Sequence, residues 1–544
     1  MDNKQLEQYQ SIPKEKFAFV TGGDKLHDQK FDTKPVGYFK DAFNRFKKNK
    51  ASLVAAIIII ILIVYAVVGP WLFNANYQKS YASDTGLVRY KQLLPRLKFL
   101  DGTGFWDGSK EKEVTENEFD IYRGVYIETG YNPIEKVIST RTTTDGDGNV
   151  SVMYKIRVNT YYANSSYYVT VDRDTYNAMQ AWQEERNLQL ILPRANTPVN
   201  NVTSQPLPDI WYDCDTKGNA NKTESGQLVP SYYTSGNDFY TSTKRIASDP
   251  GLLALEKVKD ITDEDAKNEA LSKDPNWARR YRYAQVTGKS DSPNYVVRVS
   301  SYNYFIYKYD FEPSFAFGTD SNGYDIFSRL ASGARFSFML AILVSAVNLV
   351  IGAIYGAIEG YYGGVTDMIM ERVSDVLNGV PFMVVTVLFQ LHLASKVGVV
   401  GSLIYAFVLT GWIGMASNVR MQFYRFKNQE YVLAARTLGA GDWRIIWKHI
   451  FPNTLGTLIT SCVLVIPGVI FSETSLTYLG IVNLDGPTMS SVGSMLSSGQ
   501  SVMTSAPHVV LFPALFIALL EISFNLFGNG LRDAFNPSLR GTEE

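Results

Sequence analysis

The chain has 544 residues, enough for more than one folded unit. Its 52 Lys and Arg against 53 Asp and Glu give a formal net charge of −1, so bulk charge offers nothing to nucleic acid. The mean hydropathy is near zero only because it averages very apolar runs at 51–69 and across most of 337–529 with a polar, Tyr-, Asn-, Ser- and Thr-rich segment at roughly 75–320.

Residues 1–36 are polar and of mixed charge, and are expected to be a cytoplasmic tail. No cleavable signal is expected, because the first apolar run starts only at residue 51. In 37–50, Tyr38, Phe39, Ala42, Phe43 and Phe46 fall at helical spacing among Lys and Arg, which predicts an amphipathic helix on the membrane surface. It leads into Ala51–Gly69, with four Ile at 57–60, closed by Pro70 and Trp71; about 20 apolar residues span a bilayer core. Arg45, Lys47, Lys48 and Lys50 precede this span, so the N-terminus is expected inside the cell.

Residues 71–313 then fall outside. No run there is long enough to span, and 151–158, 165–171 and 295–309 alternate as strands do. Stretches near 175–192 and 252–271 read as helices, and 144–149, TDGDGN, as a turn. The segment is long enough for an independent extracellular α+β domain. Cys214 lies in it and Cys462 in an apolar run, so no disulfide framework follows.

Next, 317–337 reads FGTDSNGYDIFSRLASGARFS, a juxtamembrane stretch whose Asp can cap a helix and whose Arg can sit at the interface. Spans are expected at 338–358, 377–394, 396–416, 455–479 and 508–528, six in all with the first. Gly352, Gly356 and Gly360 put small residues on one face of the second, for close helix packing. Between the fourth and fifth lies Glu430–Asn453, EYVLAARTLGAGDWRIIWKHIFPN. Tyr431, Leu433, Ala434, Ala435 and Leu438 suit a short helix that Gly439 and Gly441 interrupt. Asp442 is expected to cap a second short helix, and Pro452 to stop it. Two short helices on a glycine hinge cannot make a core, so the element either rests on the membrane surface as an amphipathic loop or needs a partner surface. Arg420, Arg425, Lys427, Arg436, Arg444 and Lys448 put it on the inner side, although the loop at 359–376 is acidic.

No phosphate loop, H-E-x-x-H, C-x-x-C or G-x-S-x-G occurs, and four His with two Cys make a metal site improbable; no catalytic residue, metal or directly bound cofactor is expected. Glu473 and Glu521 fall inside predicted spans, where a charge is costly, so both are candidate intramembrane sites or structural hydrogen-bonding groups.

The order E-Y-V-x-A-A, Gly439, then I-x-x-H-I-x-P-N over Ile446, His449, Ile450, Pro452 and Asn453 resembles the coupling-helix signature of ABC importer permeases. Gly318, Thr319, Asp320, Gly323, Asp325, Ser328, Arg329, Gly333 and Arg335 resemble the G-T-D-x-x-G-x-D-x-x-S-R-x-x-x-G-x-R run of the oligopeptide and dipeptide branch. GYYGGVTDMIMERVSD, the SETSLTYLGI around Glu473 and the ending NGLRDAFNPSLR are similar to that branch too.

The resemblance covers about 37–70 and 314–540 and best fits the C-type permease subunit. It implies a polytopic α-helical membrane protein of six transmembrane helices with the type I ABC importer permease fold, to which the residue pattern of 71–313 adds an inserted extracellular α+β domain. The domains would be a tail at 1–36, the amphipathic helix and first span at 37–70, the insertion at 71–313, five helices at 314–530 with coupling helices at 430–453, and a cytoplasmic tail at 531–544. Glu430, Tyr431, Ala434, Ala435, Gly439, Ile446, His449 and Pro452 would dock a cytoplasmic ATPase. Gly318, Thr319, Asp320, Asp325, Arg329 and Arg335 would form an outer juxtamembrane motif. Implied partners are a second permease in a heterodimer, two ATPases that bring ATP and Mg, an external peptide-binding protein, and membrane lipid. Ser417 departs from the family, standing where the A-R-x-x-R run usually has Arg, though Arg420 remains. The first external loop is far longer than usual, so its role is not implied. Other readings are the same machine for a dipeptide, nickel, an opine or a glycopeptide, a membrane-anchored extracellular receptor, which needs no ATPase dock, and a proton-coupled carrier using Glu473 and Glu521.

Overall fold

A computed structural model describes residues 38–72, 90–144, 150–196, 207, 209–215, 219–233, 254, 257–274, 283–289, 292–484 and 490–535. The tail at 1–36, the turn at 144–149 beyond Thr144, most of 252–256 and the end of the chain from 536 lie outside them.

Helix α1, Tyr38–Lys48, forms as expected. It does not simply lie on the membrane: Ala42 and Phe46 are buried against Phe527, Leu531 and Ala534 of the last helix, while Phe43 stays exposed. α2, Lys50–Leu72, carries Pro70 within its last turn and is exposed over most of its surface. Its seam of Ile59, Leu62 and Ala66 meets the main membrane core.

The segment between the first two membrane helices folds into two antiparallel sheets with helices. β1 (Ser109–Thr115) precedes α3 (Glu116–Thr129), which Thr115 and Glu118 close with a reciprocal capping box. β2 (Ile134–Thr144) and β3 (Val150–Asn159) complete a three-stranded sheet of order β1-β3-β2, with Val114, Ile156 and Val158 on its buried face. β4 (Ser166–Val171), α4 (Arg173–Arg186), β5 (Ile191–Leu192), α5 (Glu264–Lys273), β6 (Ala284–Lys289) and β7 (Ser292–Ser300) follow. β7 pairs with β4, β5 and β6. The strand read over 295–309 ends at Ser300, and Ser301–Tyr309 is helix α6. Tyr302, Phe305 and Tyr309 recur at helical spacing and are buried, so the aromatic-rich run obeys the 3.6-residue period and not the alternation of a strand. Among the described residues, the helix read near 252–271 covers only Glu264–Lys273 beyond 260.

One buried ion pair ties the two sheets. Arg298 on β7 meets Glu128 on α3 through both guanidinium branches, each at 2.6 Å, and adds Ser166 Oγ at 3.0 Å and the Pro193 carbonyl at 3.0 Å. Val297 and Val299, on the opposite face of β7, are buried with Tyr176 and Met179 of α4.

α7, Ile326–Tyr362, runs for 37 residues. α8 (Gly364–Asn378) and α9 (Phe382–His392) come next, and here the expected third span is corrected. The chain bends by 71° between these helices, so 377–394 is not a straight crossing. Pro381 cannot donate a backbone hydrogen bond and disfavours helix at Val380, which stops α8 and starts a short α9. α10 (Ala394–Gly411) and α11 (Ile413–Phe426) run on, and α12 (Glu430–Thr437), α13 (Asp442–Arg444), a π-helical turn at Ile445–Ile450, α14 (Phe451–Tyr478), α15 (Val492–Gln500) and α16 (His508–Phe535) complete the chain. By length and composition five helices among the described residues can cross a membrane, or six if the bent pair counts as one crossing.

The glycine stripe of α7 is the bed for α11. A Cβ on Gly356 would come within 2.2 Å of the Ala416 carbonyl oxygen, and one on Gly360 within 2.7 Å of Phe423 Cβ. Backbones this close leave no room for side chains between them, as the small-residue reading requires.

Candidate functional site

The coupling stretch forms because its apolar residues divide between two faces. Val432, Ala435, Ile445, Ile446 and Ile450 turn inward, and all but Ala435 join a cluster with Ala357, Tyr361, Val419 and Phe423. Tyr431, Leu433, Leu438 and Trp443 face outward, with Leu438 88% exposed. Leu438 ends α12, and Gly439 follows with φ +82, the left-handed conformation a glycine favours. Nothing lies within 4 Å of where its Cβ would be, so backbone conformation alone demands glycine here.

Two expectations change. Asp442 does not cap the second helix; Gly441 holds that position, and the Asp442 carboxylate instead accepts the Tyr361 hydroxyl at 2.6 Å. Pro452 does not stop the helix either. In a regular α-helix its ring would strike the carbonyl four residues back, but the π turn at Ile445–Ile450 widens the helix just before it, and the chain continues to Tyr478.

Of the eight docking residues read from sequence, Glu430, Tyr431, Ala434, Gly439 and Pro452 are exposed, His449 is half-buried, and Ala435 and Ile446 are buried. The last two therefore hold the stretch in place. Asn453 clips its two ends together, donating to the Tyr431 hydroxyl at 3.1 Å and to the His449 carbonyl at 2.8 Å.

Sequence reasoning missed what stands behind this stretch. Arg420 on α11 binds both oxygens of Asp367 at 2.6 and 2.8 Å and both of Glu371 at 2.8 and 3.0 Å, with Glu359 at 3.6 Å. Tyr424 also donates to Asp367 at 2.7 Å. The acidic stretch at 359–376, read as a loop, is the end of α7 and most of α8, and Glu359, Asp367 and Glu371 of it gather around one arginine while Asp375 pairs with Arg372 at 3.0 Å. The acidic run and Arg420 are both visible in the sequence, but nothing in their spacing joins residues about 50 positions apart.

On the other side of the membrane part, Gly318 has φ +76, and a Cβ there would meet the Leu93 carbonyl oxygen at 2.2 Å. Thr319 accepts the Leu93 N–H at 2.8 Å and donates to the Tyr90 carbonyl, so the motif fastens the start of the α+β segment to α7. Asp320 accepts the Asn322 and Tyr324 N–H groups and pairs with Arg329 at 3.3 Å. Arg329 also reaches Ser490 at 3.2 Å. Asp325 caps α7 by accepting from Phe327 and Ser328, as its spacing predicts. Burial pushes its carboxyl up to about 6 against those donors. Arg335, half-buried on α7, does not join this web.

Glu473 is fully buried, accepting from Ser337 at 2.8 Å, with Thr477 at 3.4 Å. Glu521 is half-buried, and its Oε1 has no partner. Cys214 and Cys462 are both free.

Among the described residues, a bundle of long apolar helices thus carries, between two of them, a pair of short helices with one exposed apolar face. Residues 349–541 match the family described as binding-protein-dependent transport system inner membrane component, and 37–95 match the N-terminal TM domain of oligopeptide transport permease C. The chain is 43% identical over 224 residues to the oligopeptide transport system permease protein OppC of Bacillus subtilis (strain 168), covering 41% of this chain and 72% of that protein. It is 40% identical over 225 residues to the dipeptide transport system permease protein DppC of the same strain, covering 41% and 69%. It is 36% identical over 231 residues to OppC of Escherichia coli (strain K12), covering 42% and 75%. The chain belongs to the binding-protein-dependent transport system inner membrane components, the permeases of ABC transporters. It is a transport subunit and not an enzyme; ATP hydrolysis belongs to separate ATPases.

Proposed function

We propose that this chain is the C-type permease of an ATP-driven oligopeptide importer in the plasma membrane. It forms half of the pathway in a heterodimer with a second permease. Two cytoplasmic ATPases, carrying ATP and Mg, dock on the coupling stretch, and an extracellular binding protein delivers peptide. Both termini lie inside, the bent pair α8–α9 counts as one of six crossings, and residues 71–313 form an extracellular domain over the outer mouth. Glu430, Tyr431, Ala434, Gly439 and Pro452 touch the ATPase, while Ala435 and Ile446 hold the stretch from behind. Glu473 serves as a structural hydrogen-bonding group.

The observation that carries this reading is the exposed apolar surface of Tyr431, Leu433, Leu438 and Trp443 on a stretch whose other face is locked into the membrane core. An exposed patch of this kind on a hinged element calls for a protein surface to cover it. ATPase closure would then push on this stretch and switch access from outside to inside.

Purification of the tagged chain should bring down two ATPases and a second permease, and Leu438→Asp should release the ATPases while leaving the second permease bound. Uptake of peptides of defined length should require the chain in a deletion strain. Uptake of nickel or an opine in place of peptide would overturn the substrate assignment, and retention of the ATPases by the Leu438→Asp variant would overturn the dock. For topology, with Cys214 and Cys462 changed to Ser, an impermeant thiol reagent added to intact cells should modify Ser225→Cys and spare Arg444→Cys.

A further inference from the structure

Residues 95–108 make a short hairpin at the base of the α+β segment. Leu97 N–H donates to the Trp106 carbonyl at 2.7 Å and Gly108 N–H to the Pro95 carbonyl at 3.0 Å. Its tip is held in shape. Arg96 grips Asp101 through two nitrogens at 3.0 and 2.7 Å, Thr103 donates to the Leu100 carbonyl at 2.7 Å, and Gly104 N–H donates to Asp107. Gly102 and Gly104 both take φ +81, which lets the chain turn twice within three residues.

This fixed tip presents Phe99 and Phe105, 81% and 66% exposed, the two most exposed phenylalanines among the described residues. The hairpin stands at the rim of the membrane bundle. The Trp106 ring lies 5.7 Å from that of Phe512 in the second turn of α16, and its indole N–H donates to the Ala316 carbonyl. Leu511 and Leu515 flank Phe512, about half-exposed, and begin an apolar face that continues through Leu519, Ile522 and Leu526. An indole with its polar end satisfied suits the boundary between headgroups and acyl chains.

We propose that the 95–108 hairpin is an interfacial membrane anchor, inserting Phe99 and Phe105 among the acyl chains of the outer leaflet and fixing the α+β segment relative to the mouth of the pathway. Lipid is the occupant because the tip is tied to the apolar end of α16: the Phe105 ring packs 5.3 Å from that of Trp106, which meets Phe512, and Phe99 is exposed on the same short hairpin. The charges at the tip oppose insertion little: Asp101 is neutralised by Arg96, and Lys98 pairs with Glu312 at 2.7 Å. The outer-leaflet assignment rests on the proposed topology, but the contact with lipid does not.

The test uses the full chain, with Cys214 and Cys462 changed to Ser, assembled with its partners in nanodiscs that carry lipids spin-labelled near the headgroup. Bimane is attached at Phe99→Cys, Phe105→Cys, Leu511→Cys and Ser225→Cys in turn. The anchor requires loss of emission at 99 and 105 as large as at 511, with little loss at 225. Loss at 99 and 105 no greater than at 225 overturns it. Quenching seen in the isolated chain but abolished on adding the second permease or binding protein also overturns it, because a protein then covers the hairpin. If the impermeant reagent reaches Ser225→Cys only from inside while 99 and 105 remain quenched, the topology fails and the lipid anchor stands.

Discussion

The Tyr361 hydroxyl donates to Asp442 Oδ1 at 2.6 Å, joining the last turn of α7 to the first residue of the second coupling helix. Arg436 reaches the same hydroxyl at 3.3 Å from α12, so one phenol on α7 touches two further elements. If ATPases dock on this stretch as proposed, their push would reach α7 through a short polar contact as well as through the apolar cluster.

Tyr361→Phe keeps the ring in that cluster and removes only the hydroxyl. A hydrogen bond to a charged group contributes about 1.5–3 kcal/mol, so peptide-stimulated ATP hydrolysis by the assembled transporter should fall roughly tenfold or more. Basal hydrolysis and membrane abundance should be unchanged. Unaltered stimulation would show that the contact transmits nothing.

Gly439 separates backbone strain from crowding, since open space surrounds its missing Cβ. A left-handed non-glycine residue costs about 1–2 kcal/mol, least for Asn and most for a β-branched residue. Transport should therefore decline in the order Gly, Asn, Ala, Val, with Gly439→Val reaching the membrane but failing to couple ATP hydrolysis to substrate. Equal activity in all four would remove the hinge from the mechanism.

Breaking the Arg298–Glu128 pair on one side strands a buried charge. Arg298→Met alone should destabilise the α+β segment by about 3–5 kcal/mol, and the double change with Glu128→Leu should recover much of it. Limited proteolysis of the full chain reads this out, with new cleavage between 90 and 313 in the single variant. Equal protection of the single variant and the unchanged protein would argue against the pair as the tie between the sheets.

Asp325 gives a pH dependence of defined sign. Its folded carboxyl titrates near 6, above the roughly 3.9 of an unfolded aspartate, so between those values the folded state holds the extra proton. The stability it contributes is full below about 4, falls as pH rises to about 6, and is flat above, a change on the order of 2–3 kcal/mol. The melting temperature of the solubilised protein should rise on acidification from pH 7 to 5, and Asp325→Asn should blunt that rise. An identical rise in the variant would assign it to another group.

The parts of this protein whose causes are local could be read from its residues. Runs of about 20 apolar residues have to leave water, so most membrane helices could be read directly. The glycine at 439 and the cap at Asp325 are set by their own backbone conformations and could be read as well. Close packing at Gly352, Gly356 and Gly360 was legible as a small-residue stripe, though its partner helix was not. Tertiary structure alone decided which coupling residues face outward, because Ile446 and Leu438 are equally apolar and only the surface behind them makes one core and the other exposed. It also decided the Arg420 web and the Arg298–Glu128 tie, which join residues far apart in the chain by charge and carry no periodic signature. The bend between α8 and α9 and the passage through Pro452 were misread for one reason. A proline marks a place where the helix must change, but the surrounding packing chooses whether it breaks by 71° or widens into a π turn and continues.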